Sequence, residues 1–193
     1  HDQDKLPPVD DDLQAIFDAG FLFESYAEKL FPEAVKLECD RGNYNSYKEL
    51  PNRTEEAIKS GAKTILQGRF ESDRITCVCD VLSKNMKGGF DLYEIKSSTQ
   101  AKPEHVYDLA FQTEVLERCG YKIDNISVVH VNNQYIKNGE IKPEEIAKIT
   151  EISDEVKSKK EETKKGIDEA LSVIDDPTCP DISPSLANMG AFS

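Results

Sequence analysis

The chain lacks the long apolar runs and the surplus of positive charge that mark several protein classes. None of its 193 residues belongs to an apolar run long enough for a membrane helix, which needs about 20 such residues. The chain begins His1-Asp2-Gln3-Asp4, which is neither a signal peptide nor an initiating Met. We therefore expect a cytoplasmic fragment of a longer polypeptide, with the rest of that polypeptide as a partner and no membrane contact.

Positive charge is scarce: 24 Lys and Arg stand against 37 Asp and Glu, for a formal charge of −13. Broad, sequence-independent binding to nucleic acid needs a surplus of Lys and Arg to neutralise phosphates, so the composition argues against it. A local basic site is still compatible with the total. With 38% hydrophobic and 32% charged residues and no Trp, the composition is that of a single globular domain with a modest core.

Cysteine is present but not in a pattern that builds disulfides or a zinc site. The five cysteines are odd in number and scattered, so we expect reduced thiols. Cys77 and Cys79 lie on the face of a predicted strand opposite to Asp80. They have no second pair of cysteines to complete a tetrahedral site. They are expected to be core residues.

The pattern of apolar, turn and capping residues predicts a mixed α/β chain. In its first half, three β-rich runs are separated by short turns, which is typical of an antiparallel meander. Thr54 is the expected N-cap of the short helix before them. In order, the predicted elements are a helix at 13–31, a loop at 32–53, a helix at 54–61, and strands at 64–70, 75–82 and 90–96.

The second half adds a crossover helix, further strands and a long last helix. Pro103 favours a helix start and Gly120 its end, and the apolar run at 125–131 favours a buried strand. A short neighbouring strand at 135–136, a minor helix from 142 and a helix at 153–175 capped by Ser153 complete the prediction. We expect one domain, residues 1–175, with a mixed central sheet flanked by helices, and an irregular tail, residues 176–193.

One acid interrupts the apolar face of the first predicted helix. Steps of 100° per residue place Glu24 inside a face made by Leu13, Ile16, Phe17, Gly20, Ala27, Leu30 and Phe31. Two interpretations remain open. Glu24 is either a partly buried acid that meets a lysine or the end of the core, or an acid associated with a metal.

Two more acids fall on neighbouring strands. Alternation puts Thr76, Val78, Asp80 and Leu82 on one face of their strand and Leu92, Glu94 and Lys96 on one face of the next. If the strands pair, Asp80 lies beside Glu94. Two such acids make an all-oxygen site suited to Mg²⁺ or Mn²⁺, to which Ile95 could add its carbonyl and Glu24 a third carboxylate.

Lys96 would then stand near any metal-bound water. A lysine there can orient or deprotonate the attacking water, or neutralise charge that develops on a phosphorane, which is the chemistry of phosphodiester hydrolysis. Glu-x-Lys alone is not specific, because Glu140-Lys142, Glu155-Lys157 and Glu162-Lys164 also fit it. The alternative is a ladder of exposed charges on a solvent-facing strand, with Asp80 near a turn.

These residues carry a resemblance to a known superfamily. Asp80, then Glu94-Ile95-Lys96-Ser97-Ser98, then Asp108 to Gln112, resembles the PD-(D/E)XK nucleases, in particular the RecB-like branch that includes CRISPR-associated exonucleases. Gly20 to Glu24 is similar to the first-helix motif of that branch. Other stretches, including Ala27 to Pro32, are similar to a bacterial family of uncharacterised proteins with a nuclease-like N-terminal region.

The resemblance implies a restriction-endonuclease-like core and a DNA nuclease that resembles an exonuclease. Asp80 and Glu94 would bind Mg²⁺ or Mn²⁺, together with Glu24 and the Ile95 carbonyl, and Lys96 would be catalytic. Gln112 would orient the lysine or the substrate; Ser98 and Lys102 are further expected substrate contacts. An iron–sulfur cluster, which some relatives in this branch hold, is not expected, because only Cys179 lies in the C-terminal tail.

Two departures from the RecB-like pattern motivate other functions. Glu24 stands where many members have His, and the usual Gln-x-x-x-Tyr ends here in Leu116. A nuclease-like binding or scaffolding module that no longer cuts, and an acidic protein-interaction domain without metal, are the alternatives. His105 is expected to be an exposed residue at a helix start, with phosphate contact as its other interpretation, and His130 a core residue with its polar atoms satisfied.

The lysines near the expected site define a short basic rim, namely Lys84, Lys87, Lys96 and Lys102. Because the rest of the chain is acidic, we expect weak DNA binding with a steep loss in salt.

Overall fold

The structure is a computed structural model that describes residues 10–40 and 42–178. Within these ranges the helices are α1 Asp11–Ala27, α2 Tyr44–Lys59, α3 Pro103–Arg118, α4 Pro143–Ile146, α5 Ser153–Ser158 and α6 Lys160–Asp175, with a 3₁₀ turn at Glu28–Leu30. The strands are β1 Val35–Lys36, β2 Thr64–Ser72, β3 Ile75–Lys84, β4 Phe90–Lys96, β5 Ile123–Val131 and β6 Ala147–Glu151.

The strands form one six-stranded mixed sheet in the order β1 to β6. The meander β2-β3-β4 is antiparallel. Because α3 crosses over between them, β4 and β5 run parallel, and β6 returns antiparallel to β5. The structure thus confirms the predicted α/β fold. Its mixed central sheet contains an antiparallel meander, which a crossover helix connects to further strands, and helices flank the sheet.

Both faces of the sheet are covered. The larger core cluster packs α3, α5 and α6 on one face, where Leu109 and Leu116 of α3 belong to the same buried cluster as Leu92 and Val128 of the sheet. A smaller cluster lies under α1 on the other face and includes Phe23 and Ala27 of α1 with strand residues. Burial on both faces explains the near-continuous apolar run of β5.

The predicted loop at 32–53 is only partly correct, because α2 replaces its second half. α2 begins at Tyr44, after an N-cap Asn43 whose side chain accepts the Asn45 N–H, and it contains Pro51. Thr54 is therefore not an N-cap: it is 1% exposed, and its hydroxyl donates to the Leu50 carbonyl. The sheet also gains the two-residue strand β1, which pairs parallel to β2 and was too short to show a pattern.

The predicted apolar face of the first helix is wrong at its N-terminal end. Leu13, Ile16 and Phe17 are 40–64% exposed, whereas the buried residues of α1 are Phe23 and Ala27. The reason is that only the C-terminal half of α1 packs on the sheet. There a Cβ on Gly20 would lie 3.9 Å from the hydroxyl of Ser97, the residue that follows β4.

Three predictions in the second half are also corrected. Residues 135–136 are not a strand, and the partner of β5 is β6. The last helix is divided at Lys159 into α5 and α6. Ser153 does not cap it; its hydroxyl instead accepts the Ile126 N–H and thereby ties α5 to β5.

No helix in the described part of the chain is long and apolar enough to cross a membrane. Of the predicted tail, residues 179–193, including Cys179, lie outside the described residues.

Candidate active site

The candidate site lies where β3 and β4 stop pairing. Their pairing runs from Lys84 with Phe90 to Val81 with Tyr93. Beyond this point the acceptor of the Ile95 N–H in β4 is a side chain of β3 and not a backbone carbonyl. Asp80 Oδ2 accepts this N–H at 2.7 Å. This bond places Asp80 directly beside Glu94-Ile95-Lys96, as the sequence predicted.

An irregularity in the sheet, and not simple alternation, brings Asp80 there. Leu82 packs in the larger core cluster with Cys77 and Cys79, whereas Val81 packs in the opposite cluster. The expected shared face of Asp80 and Leu82 is therefore wrong, since the alternation shifts between Cys79 and Val81. Cys77 and Cys79 are core residues, as predicted.

Glu94 is held from two sides. It is 7% exposed, and its Oε2 accepts the Gln112 amide at 2.8 Å while its Oε1 lies 2.9 Å from Lys96 Nζ. Gln112 on α3 thus fixes Glu94 on β4. The carbonyl oxygen of Gln112 is buried with no hydrogen-bond partner among the described residues, which leaves one acceptor beside the site.

Lys96 lies between two acids and remains partly accessible. Its Nζ is 3.3 Å from Asp108 on α3 in addition to its contact with Glu94, and its side chain is 31% exposed. Burial lowers the pKa of Lys96, but attraction to Glu94 and Asp108 outweighs burial and raises it overall. Lys96 is consequently a cation at neutral pH, and it is not a simple member of an exposed ladder.

Gln67 is a site residue that was not predicted from the sequence. Its amide donates to Glu24 Oε1 at 2.8 Å and to Asp80 Oδ1 at 3.3 Å, so it joins α1 to β3. Gln67 has φ 59°, an uncommon backbone conformation for a residue other than glycine. A polar residue between Leu66 and Gly68 in a strand was the only available signal. The half-buried Glu24 thus reaches the site through Gln67.

The fold changes the ionisation of Asp80 strongly. Burial, and then repulsion from Glu94 and Glu24, raises the pKa of Asp80 from 3.8 to about 7, although the Ile95 N–H opposes the shift. The three acids are thus close enough to repel one another, and a cation in their midst would relieve that repulsion.

Ser98 and Lys102 are the expected substrate contacts. Among the described residues, their side chains have other partners than Asp80, Glu94 and Lys96. The Ser98 hydroxyl donates to the Gln100 carbonyl, and Lys102 Nζ lies 3.6 Å from Glu104. The Ile95 side chain is buried, and metal binding by its carbonyl stays a prediction.

The two histidines behave differently. His105 is 5% exposed, so the expectation of an exposed residue is wrong: its Nδ1 accepts the Lys102 N–H at 3.1 Å, and burial lowers its pKa. His130, as predicted, is buried with its polar atoms satisfied, since Nε2 lies 2.8 Å from the Thr150 hydroxyl.

The donor set fits a hard divalent cation held by few protein ligands. No group of three His, Cys, Asp or Glu residues in the described ranges is arranged to hold a metal. Asp80 and Glu94 supply two carboxylates, and Mg²⁺ commonly takes one or two carboxylates and fills its other positions with water. The repulsion that raises the pKa of Asp80 supports such a site.

The comparisons with known proteins do not assign a family. No family profile matches the chain, and no curated protein is similar to it in sequence. The geometry of the described residues therefore carries the functional argument alone.

Proposed function

We propose that this chain is a metal-dependent DNA nuclease domain of the PD-(D/E)XK type, with a RecB-like, exonuclease-like arrangement. The observation that carries the proposal is the position of Asp80 at the point where β3 and β4 part, bonded to the Ile95 N–H between Glu94 and Lys96. A solvent-facing charge ladder does not account for this arrangement, because Glu94 is 7% exposed and held by Gln112.

The proposed reaction is hydrolysis of a phosphodiester. Water adds to phosphorus, one P–O ester bond breaks, and the products are a phosphate monoester and a hydroxyl. Asp80 and Glu94 would hold Mg²⁺ or Mn²⁺, which supplies Lewis acidity and lowers the pKa of bound water.

The chain's own residues have distinct roles in this proposal. Lys96 is charged because its acidic neighbours raise its pKa, which favours neutralisation of developing phosphoryl charge over proton abstraction. Gln112 fixes the orientation of Glu94.

The four unpaired thiols among the described cysteines support a reducing compartment, and we propose the cytoplasm.

Cleavage assays on single- and double-stranded DNA test the proposal. We expect cleavage with Mg²⁺ or Mn²⁺ and none with EDTA, and a loss of about 100-fold or more in Asp80→Ala and in Lys96→Ala. Lys84→Ala is the matched control, because Lys84 is exposed at the opposite end of the same hairpin. Unchanged cleavage in both site variants would exclude the assignment.

One observation favours a second candidate, a nuclease-like binding module that does not cut. In the described structure Lys96 is paired with both Glu94 and Asp108, and no three-residue metal group is present. This candidate predicts DNA binding without turnover at any concentration of Mn²⁺. Multiple turnovers that disappear in Asp80→Ala would rule it out.

A further inference from the structure

A cavity of about 650 Å³ opens beside the candidate site, on the α1 and α2 side of the sheet. Its apolar wall includes Phe21, Leu37, Tyr47, Leu50 and Val78. Ligand pockets of about 300–1,000 Å³ are typical of small-molecule and cofactor sites, so the cavity is large enough for a planar aromatic ring.

The cavity is continuous with the candidate site. Glu24 and Gln67 both line it, and the Gln67 amide lies 2.8 Å from Glu24 and 3.3 Å from Asp80. A group inside the cavity is thus separated from the proposed metal ligand Asp80 by a single side chain.

Tyr47 offers a rigid aromatic surface to the cavity. Its ring packs against the Arg69 guanidinium, whose Cζ lies 3.9 Å from the ring centroid. Pro51 has no N–H to bond the Tyr47 carbonyl, and Arg69 Nη1 donates to that carbonyl at 2.9 Å instead. Because Arg69 is 7% exposed and also bonds Thr76, the position of the tyrosine is fixed before any ligand binds.

The polar groups of the cavity are mainly acceptors. Glu24, Glu28 and Glu38 line it, and the lysine among its described lining residues, Lys36, is already 2.6 Å from Glu28 Oε2. Glu28 Oε1 is buried and has no hydrogen-bond partner among the described residues. A phosphate would be repelled by these acids, whereas an uncharged ring with N–H donors would satisfy the unpaired oxygen.

We propose that the cavity binds an unstacked nucleobase of the DNA strand whose phosphodiester lies at Asp80 and Glu94. The inference rests on the proposed nuclease function and specifies its substrate as a strand with at least one unpaired base. The base stacks on Tyr47, and its N–H groups donate to Glu28. Guanine, with adjacent ring N–H and amino donors, fits a carboxylate acceptor best, and thymine, with one N–H between two carbonyls, fits it least.

The test measures binding of thymine hexanucleotides that carry one guanine, or one abasic position, at each place in turn. Fluorescence anisotropy is recorded in Ca²⁺, with any cleavage monitored on gels. We expect the guanine probe to bind more tightly than the abasic probe at one position. Base stacking of the usual strength predicts a loss of about 5- to 100-fold in Tyr47→Ala. Tyr44→Ala is the matched control, because Tyr44 lies on the same helix, is 69% exposed and does not line the cavity.

A second variant keeps the inference testable if Tyr47→Ala does not fold. Glu28→Gln retains the size of the side chain but replaces an acceptor oxygen with a donor, so the preference for guanine over thymine should fall at the same position. Mn²⁺ affinity, measured by calorimetry, should be unchanged in both variants. If Tyr47→Ala and Tyr44→Ala bind alike, or if Glu28→Gln keeps the guanine preference, the cavity is not a base site.

The outcomes also separate this inference from the proposed function. One outcome is DNA cleavage that depends on Asp80, together with base binding that neither Tyr47→Ala nor Glu28→Gln changes. This outcome would overturn the base site alone. Base-dependent binding without any cleavage would overturn the nuclease and leave the cavity as the recognition site of a binding module.

Discussion

Asp80 shows at the scale of one residue how the fold changes the chemistry of a side chain. In the sequence it is one of 37 acids, yet burial and two neighbouring acids raise its pKa to about 7. The folded protein therefore holds this proton more tightly than the unfolded chain does.

The raised pKa predicts a pH dependence of stability without metal. Below about pH 4 both states are protonated, and the contribution of Asp80 is fully present. As pH rises towards about 7, the unfolded chain has already lost the proton, so the free energy of unfolding should fall. Over this pH range we expect the free energy of unfolding to fall by an amount on the order of 2 kcal/mol in the wild type, and we expect no such fall in Asp80→Asn. Urea unfolding from pH 4 to 8 measures it, with the exposed Asp154→Asn as control; parallel curves for wild type and Asp80→Asn would contradict it.

Gln67 supplies a second prediction at this scale. Gln67→Glu replaces the amide that donates to Glu24 and Asp80 with another acid. The free energy of unfolding without metal should fall by about 1–3 kcal/mol, because two acceptors lose a donor and gain a repulsive neighbour. Added Mn²⁺ should recover part of the loss in thermal melts. Gln134→Glu makes the same charge change at an exposed turn and should change the melting temperature little. Equal melts for the two variants would argue against the bridging role.

At the scale of elements, two glycines distinguish an open position from a crowded one. A Cβ at Gly166 in α6 would meet nothing within 4 Å, whereas a Cβ at Gly89, before β4, would overlap the Asp124 carboxylate and lie 2.9 Å from the Lys122 carbonyl. Gly166→Ala should stabilise the protein by about 0.5–1 kcal/mol through helix propensity. Gly89→Ala should destabilise it by about 1–3 kcal/mol through overpacking. Chemical denaturation measures both, and effects of the same sign would contradict this description of the two positions.

The elements also show why some predictions from sequence succeeded. The strands of the meander were identified because alternation and turn residues agree there, and β4 was predicted with its observed bounds. The first part of α2, residues 44–53, was missed because Pro51 and the neighbouring Asn residues are loop signals. Tertiary packing overrides them, since Leu50 and Thr54 are each 1% exposed where α2 meets the sheet.

At the scale of the whole molecule, the predicted basic rim does not form. Lys84 ends β3 opposite Phe90, and Lys87 lies in the turn that follows, whereas Lys96 ends β4. The two ends of β4 are about 20 Å apart. Lys96 and Lys102 are the predicted rim residues left near the site, and each already has an acidic partner.

The charge distribution changes the expected salt dependence of DNA binding. With about two phosphate contacts, the slope of log affinity against log salt should be near −2, which is shallower than the steep loss expected from sequence. Anisotropy titrations between 50 and 200 mM salt, in Ca²⁺, measure the slope. A slope several times steeper would show that DNA contacts other cations, and Lys102→Ala should make the slope shallower by about one unit.

The sequence by itself determined the class of fold and most of the candidate chemistry. Hydrophobic alternation, turn residues and helix signals are local, so they identified β2 to β5 and α3, and they placed Asp80, Glu94, Lys96 and Gln112 on those elements. Only the tertiary structure decided how these residues meet. The break in β3–β4 pairing, the positive φ of Gln67 and the cavity beside Tyr47 depend on contacts between residues that are distant in the chain. Such contacts leave no periodic pattern in the sequence.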